Sequence, residues 1–196
     1  MARPIGNVTG LVFMSNELDG KRQEILIELV PGIRKMAALA DAKMQRDNRL
    51  DVLKEAARAR NVELSVYRIA AGDEIAHAIE SAKTWGAEAL NVLSSGMFFG
   101  FRQITIERTL ALRLPAMFEE LNNAEEGGFA AYGPTWVHMA TIFARQAIQL
   151  LRGAKVTDIP VEQPFKFELV INLKTANAIG IKVPPALLVR ADKVIE

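Results

Sequence analysis

At 196 residues the chain is long enough to bury a real core and fits one ordinary domain or one large lobe of a two-lobed protein. Half of its residues are apolar and 24% are charged, with 24 basic side chains against 23 acidic ones, so no excess field draws in nucleic acid or an anionic membrane. The absence of cysteine removes disulfides, thiolate metal sites and cysteine nucleophiles together.

Residues 1–10 hold one arginine and no apolar run of signal-peptide length, so the chain as written is expected to stay in the cytoplasm. Short apolar runs rich in β-formers then alternate with segments of helical period, the pattern of βαβ units and a parallel sheet. Residues 8–13 read as a first strand, followed by a helix over 17–29 that buries Leu18, Ile25, Leu26 and Leu29 and stops at Pro31-Gly32. A strand over 34–40 leads to a helix over 50–60, capped by Asp47 or Asn48 and closed by Asn61, a residue that tolerates the left-handed conformation. In 62–69, Val62, Leu64 and Val66 alternate with Glu63, Ser65 and Tyr67, which predicts an edge strand with one wetter face.

Asp73 is expected to cap a helix running to residue 84, with Ile75, Ile79 and Ala82 on one stripe and Gly86 at its end. Residues 89–93 are nearly all apolar, as a central strand covered on both faces should be. A helix over 99–112 and short strands over 115–118 and 129–132 follow, then a helix from the Thr135 cap to residue 152, stopped by Gly153. The longest uncharged stretch, 127–144, is interrupted by Tyr132-Gly133-Pro134 and reads as strand, turn and helix, not as a membrane span. Beyond it, Pro160 and Pro164 bracket an extended linker, and the strand over 166–173 is expected in a different neighbourhood from the others. A short helix ending at Gly180 and a last helix to about residue 194 close the chain. The fold class is α/β, a doubly wound parallel sheet over residues 1–155, with a C-terminal linker, strand and helices over 156–196.

In an open parallel sheet, ligands bind beyond the carboxyl ends of the strands, where strand order reverses. That rule selects the loops 41–46, 94–96, 119–123 and 132–134, joined by the Ser15-Asn16 turn. Ser94-Ser95-Gly96 follows the most apolar strand and leads into a helix, where free N–H groups favour an anion such as a carboxylate; the alternative is that the serines only cap the helix. Tyr132 offers an aromatic face and a hydroxyl, or simply a core ring. Catalytic signatures are missing: no phosphate loop, dinucleotide fingerprint or nucleophile elbow occurs, and a hydrolase built on Ser95 has no base placed by sequence. His77 and His138 lack metal-ligand spacing, so no metal or cofactor is expected. Glu119-Glu120 and Glu125-Glu126 read as a solvated acidic turn, and Lys21-Arg22, in the first turn of a helix where cations are unfavourable, as a solvated face with a contact role as the alternative.

Several runs carry a resemblance: Gly127-Gly128-Phe129-Ala130-Ala131-Tyr132-Gly133-Pro134, Leu151-Arg152-Gly153-Ala154-Lys155, and Asp158-Ile159-Pro160-Val161-Glu162-Gln163-Pro164. Lys166-Phe167-Glu168-Leu169-Val170-Ile171-Asn172-Leu173-Lys174-Thr175-Ala176 continues it, as does Gly6-Asn7-Val8-Thr9-Gly10-Leu11 with Gly20-Lys21-Arg22. Together they closely resemble the ABC-transporter substrate-binding proteins of the tryptophan/tyrosine-binding type, over essentially the whole chain. The resemblance implies a type I periplasmic binding protein lobe of flavodoxin-like strand order, a small solute of amino-acid or carboxylate type, a membrane permease as partner and a periplasmic location. It also implies no enzymatic activity. Family chains carry a signal sequence and a first lobe ahead of the Asn7-Val8-Thr9-Gly10 motif, so this chain corresponds to the second lobe and the C-terminal segment.

Carried over by position, the ligand-facing residues are Ser15, Ser94, Ser95, Gly96, Tyr132 and Gly133. The loops 41–46 and 119–123 depart from the family's pattern. With half a cleft, the strands over 8–13 and 166–173 are expected to expose edges, which predicts a homo-oligomer or, as a second reading, a self-associating structural or regulatory module.

Overall fold

A computed structural model describes residues 4, 6–12, 15–43 and 49–196. Contacts divide the chain into two compact units, Ser15–Gly133 with Leu169–Glu196, and Met1–Met14 with Pro134–Glu168.

The larger unit carries the sheet. Its strands are β1 (Lys35–Asp41), β2 (Glu63–Ile69), β3 (Ala89–Val92), β4 (Ala116–Phe118), β5 (Ala130–Pro134), β6 (Phe167–Asn172) and β7 (Lys193–Ile195), in the order β2-β1-β3-β4-β5-β6-β7. The registers of β1 with β2 and β3, β3 with β4, β4 with β5 and β6 with β7 are all parallel. The chain steps from β1 outward to β2, then crosses back to β3 on the other side, so the order reverses between β1 and β3. This is the flavodoxin-like winding extended by two strands.

Alternation along each strand divides the core into two layers. Met36, Ala89, Met117, Ala130, Leu169 and Ile171 face Ile25, Leu26 and Leu29 of α1 (Ser15–Leu29), together with α8 (Leu173–Ile179) and α9 (Pro185–Arg190). Ala37, Leu39, Leu90, Ala116, Phe118 and Val170 face the other way, onto α3 (Ile75–Trp85) and α5 (Arg102–Ala111). Leu26 and Leu29 are fully enclosed, each contributing about 1.5–3 kcal/mol of burial. α2 (Arg49–Ala59) buries Leu53 against Ala38 and Ala40, and Asn61 after it takes a φ of 55°. Its expected caps, Asp47 and Asn48, lie outside the described residues.

Several expectations need correction. Asp73 does not cap α3; it lies inside a 3-10 turn over Gly72–Glu74, and the Glu74 carboxylate instead accepts from the Ala70 N–H at 2.9 Å. The helix expected over 99–112 is two, α4 (Gly96–Gly100) and α5, broken at Phe101. That ring lies over Gly72, where a Cβ would fall 2.2 Å from it. Residues 119–123 are not all loop, because α6 (Leu121–Glu125) begins there. The strand over 166–173 is not in a separate neighbourhood: as β6 it joins the main sheet, with the Asn172 N–H donating to the Phe129 carbonyl and β7 pairing on its other side. It therefore offers no free edge. The last helix ends at Arg190 and gives way to β7, fixed where Asp192 exchanges main-chain and carboxylate bonds with Leu169.

In the smaller unit, the expected first strand reduces to one parallel bridge, Leu11 with Glu162, framed by Val12 N–H to Glu162 O and Glu162 N–H to Gly10 O; Phe13 lies outside the described residues. α7 (Trp136–Leu151) starts at Thr135, whose hydroxyl accepts from the His138 N–H. It buries Met139, Ile142 and Gln146 but leaves Trp136, Val137, Phe143, Ile148 and Leu151 exposed. Among the described residues no helix is long and apolar enough to cross a membrane.

Candidate functional site

The strands β1, β3, β4 and β5 are parallel neighbours, so their carboxyl ends meet at one rim, and each ends in a polar residue or turn. Asp41 closes β1, Ser94-Ser95-Gly96 follows β3, Glu119 to Asn123 follows β4, and Tyr132-Gly133 lies near the end of β5. The loops selected by the switch-point rule thus come together. Ser15 belongs to the same unit, but its side chain, like residues 44–46, lies outside the described residues.

Ser95 is extended at φ −164° and ψ 141°, and its hydroxyl accepts from the Met97 N–H at 3.1 Å as the cap of α4. The same hydroxyl donates to Asp41 Oδ2 at 2.6 Å, while Asp41 Oδ1 accepts from the Lys43 N–H at 2.8 Å. A hydroxyl has one proton, and Asp41 takes it, so Ser95 meets the rim as an acceptor. The alternative reading of a capping serine holds, and α4, at five residues, is too short to project a helix dipole onto an anion.

Beneath the rim lies a buried charge pair. Asp19 and Arg22 stand one turn apart on α1, both fully buried, with 2.5 Å between Oδ1 and Nη2. Arg22 Nη1 donates to the Tyr132 carbonyl at 3.2 Å, and Asp19 Oδ1 accepts from the Ser94 N–H at 3.3 Å. Asn91, buried in β3, donates from its amide to the Asp19 carbonyl at 3.2 Å. One ion pair therefore ties α1 to both rim turns. The expectation of a solvated Lys21-Arg22 face is corrected for Arg22, whereas Lys21 is exposed and pairs with Glu24. The missed signal was positional: Arg22 sits four residues after Leu18 and three before Ile25, within the apolar stripe.

Tyr132 is half-buried with its ring against the α1-side core, so its ring serves packing and its carbonyl serves the network. Gly133 has a steric reason: a Cβ there would lie 2.1 Å from the Glu119 carbonyl oxygen. Between the loops after β3 and β4, Ser95, Phe98, Phe99, Phe118, Glu119 and Asn123 help to line a narrow slot of about 20 Å³. Asn123 is 5% exposed, and its Oδ1 is buried with no hydrogen-bond partner among the described residues. The second acidic pair is engaged elsewhere, Glu125 with Lys193 at 2.6 Å and Glu126 with Arg102 at 2.8 Å. His77 is exposed on α3, and His138 meets the Phe165 ring edge-on at 4.3 Å. Among the described residues no group of three or more His, Asp or Glu side chains could hold a metal.

The ABC transporter substrate binding protein family matches residues 1–195. The chain is 23% identical over 184 residues to the tyrosine-binding protein of Clostridioides difficile (strain R20291), covering 93% of this chain and 52% of that protein. It therefore spans about half the length of that relative. Among solved structures, an ABC domain from Streptococcus pneumonia in complex with L-Trp superposes with a TM-score of 0.84 at 23% identity, over 98% of this chain and 65% of the other. A conserved domain protein from Vibrio cholerae O1 biovar eltor gives a TM-score of 0.85 at 20% identity, covering 96% of this chain and 63% of its own. With the wound parallel sheet and the rim in place, the match along the full chain shows that this protein belongs to the ABC transporter substrate-binding protein family.

Proposed function

We propose that the chain is a solute-binding component of an ABC-type uptake system, that its solute is an amino acid, and that it works outside the cytoplasmic membrane with a permease as partner. The observation that carries this reading is the convergence of Asp41, Ser94 to Gly96, Glu119 to Asn123 and Tyr132-Gly133 at one rim beside the reversal of strand order. Ser15, Ser94, Ser95, Gly96, Tyr132 and Gly133 form the solute-facing wall in this reading, with Asp41 holding the Ser95 hydroxyl. Support comes from a relative named for tyrosine binding and from the L-Trp complex of a structural neighbour.

The test is a thermal-shift and calorimetric screen of the 20 L-amino acids against the whole chain. A ligand present at 100 times its Kd stabilises the folded state by about 2.7 kcal/mol. A rise in melting temperature with L-Trp or L-Tyr that Ser95→Ala weakens supports the reading. A flat response across the set sinks it.

A second reading is favoured by α7. Trp136, Ala140, Phe143, Ala147 and Leu151 recur at helical spacing on exposed turns, a stripe that a second copy of the chain would cover. Light scattering at tens of micromolar checks it: a dimer that Phe143→Lys converts to monomer supports association, and a monomer throughout excludes it.

A further inference from the structure

We propose that the outer edge of β2 pairs antiparallel, about a two-fold axis, with the same edge of a second copy of the chain, joining the two sheets into one. β2 is the terminal strand of the sheet, and its seven residues pair with β1 in unbroken register from Glu63 to Ile69. Main-chain bonds fix which way each residue faces. The Glu63 N–H donates to the Arg34 carbonyl at 2.7 Å, and the Ile69 carbonyl accepts from the Ala42 N–H at 2.8 Å. Glu63, Ser65, Tyr67 and Ile69 therefore turn their N–H and C=O groups toward β1, and Leu64, Val66 and Arg68 turn theirs outward. Among the described residues nothing bonds to those outward groups.

The two ends of the sheet treat their edges differently. β7 is three residues long and carries Lys193, paired with Glu125, which are the short length and charge that keep an edge from joining another chain. β2 is longer and regular, with no proline, lysine or bulge, and its charged residues, Glu63 and Arg68, stand toward opposite ends. Those charges select the partner and its direction. A parallel copy would set Glu63 beside Glu63 and Arg68 beside Arg68, whereas an antiparallel copy brings the acidic end of each edge to the basic end of the other. Only a register that sets outward residues opposite one another closes the ladder. With the axis at Val66, Val66 faces Val66 of the second copy and Leu64 faces its Arg68, so all the outward groups of the strand find mates. An axis at Ser65 or Tyr67 leaves Arg68 or Leu64 facing a residue outside the strand. The same register suits the side chains. The half-buried Leu64 and Val66, which pack with Leu53 of α2, meet Val66 and the aliphatic stem of Arg68 from the second copy, and on the other face Ser65 stands opposite Tyr67.

Amide hydrogen exchange on the full chain, read beside sedimentation from low-micromolar to near-millimolar concentration, tests the pairing. The expected pattern alternates along the strand. The Glu63, Ser65, Tyr67 and Ile69 amides stay protected at every concentration, while those of Leu64, Val66 and Arg68 exchange fast in the monomer and slow down as dimer forms. Val66→Pro removes an outward donor and leaves every bond to β1 in place, so it should weaken the dimer about tenfold or more, through the bond lost from each copy and the ring set between the strands. Arg68→Pro makes the same change at an exposed side chain, with no packing lost, and keeps the test decisive if Val66→Pro folds poorly. A monomer at every concentration, or exchange at Leu64, Val66 and Arg68 that ignores concentration, overturns the pairing. A dimer that survives in the proline variants and is lost in Phe143→Lys overturns it in favour of α7.

Discussion

The two rims of the sheet use polar groups in opposite ways. At the amino ends of β1, β2 and β3, Glu88 accepts from the Arg34 and Lys35 N–H groups at 2.6 and 3.0 Å, and Lys35 lies 3.9 Å from Glu63 and over the Trp85 ring. The partners there lie at the exposed surface, and Glu88 caps the free N–H groups that open β1. At the carboxyl ends, Asp41, Ser94, Ser95 and Tyr132 are held by part-buried bonds, and the Asn123 side-chain oxygen is buried with no hydrogen-bond partner among the described residues. An exposed rim whose carboxylate caps free backbone serves stability, whereas the part-buried bonds of the other rim fix the turns on which the proposed solute wall depends.

The comparison is broken most forcefully at the buried pair beneath the carboxyl-end rim. Arg22→Ala removes the cation that faces the fully buried Asp19 carboxylate and should cost about 3–5 kcal/mol by denaturant unfolding. A loss below about 1 kcal/mol would mean that the pair does not hold the rim. Gly133→Ala drives a Cβ into the Glu119 carbonyl, for an expected loss of about 1–3 kcal/mol and a displaced loop after β4. Amide shifts at residues 119–123 that stay unchanged would contradict that contact.

Asn123→Leu should have a smaller effect, because removing a buried carbonyl that lacks a partner among the described residues leaves stability within about 1 kcal/mol of the parent. A loss as large as that of Arg22→Ala would show that the carbonyl is met. The smallest effect belongs to the opposite rim. The Arg34 N–H above all, opposed by burial and aided by the Lys35 N–H and the Arg34 and Lys83 charges, holds the Glu88 carboxyl below its ordinary pKa. A lowered folded-state pKa contributes stability above the unfolded value, about 4.3, and loses it as pH falls through the folded value. Glu88→Gln should therefore be slightly less stable than the parent at pH 7, with the gap closing below about pH 4. A gap that persists at pH 2 would show that the carboxylate's charge is irrelevant.

Much of this was legible locally. The five strands in residues 34–134 follow from alternation and apolar runs, and β2 is the edge strand that its wetter face announced. The loops of the site were also legible, because the switch-point rule needs only the order of βα units. Their chemistry was not. Ser94-Ser95-Gly96 reads as a donor site until Asp41, 54 residues earlier, accepts the hydrogen bond that the Ser95 hydroxyl donates. Asn123 looks like one more residue of a polar turn until burial strips its carbonyl of water.

Stereochemistry close to each residue settled what the sequence determined by itself: the left-handed stops at Asn61, Gly86, Gly153 and Gly180, the Thr135 cap, and the βα alternation that demands a parallel sheet. These depend on backbone sterics and on one turn of neighbours, both written within a few residues. Tertiary structure alone decided that β6 and β7 extend the sheet, that Arg22 is enclosed with its guanidinium on the Tyr132 carbonyl 110 residues away, and which groups at the rim remain unmet. Those outcomes depend on which distant segments exclude water from a group, and a local pattern carries no record of that.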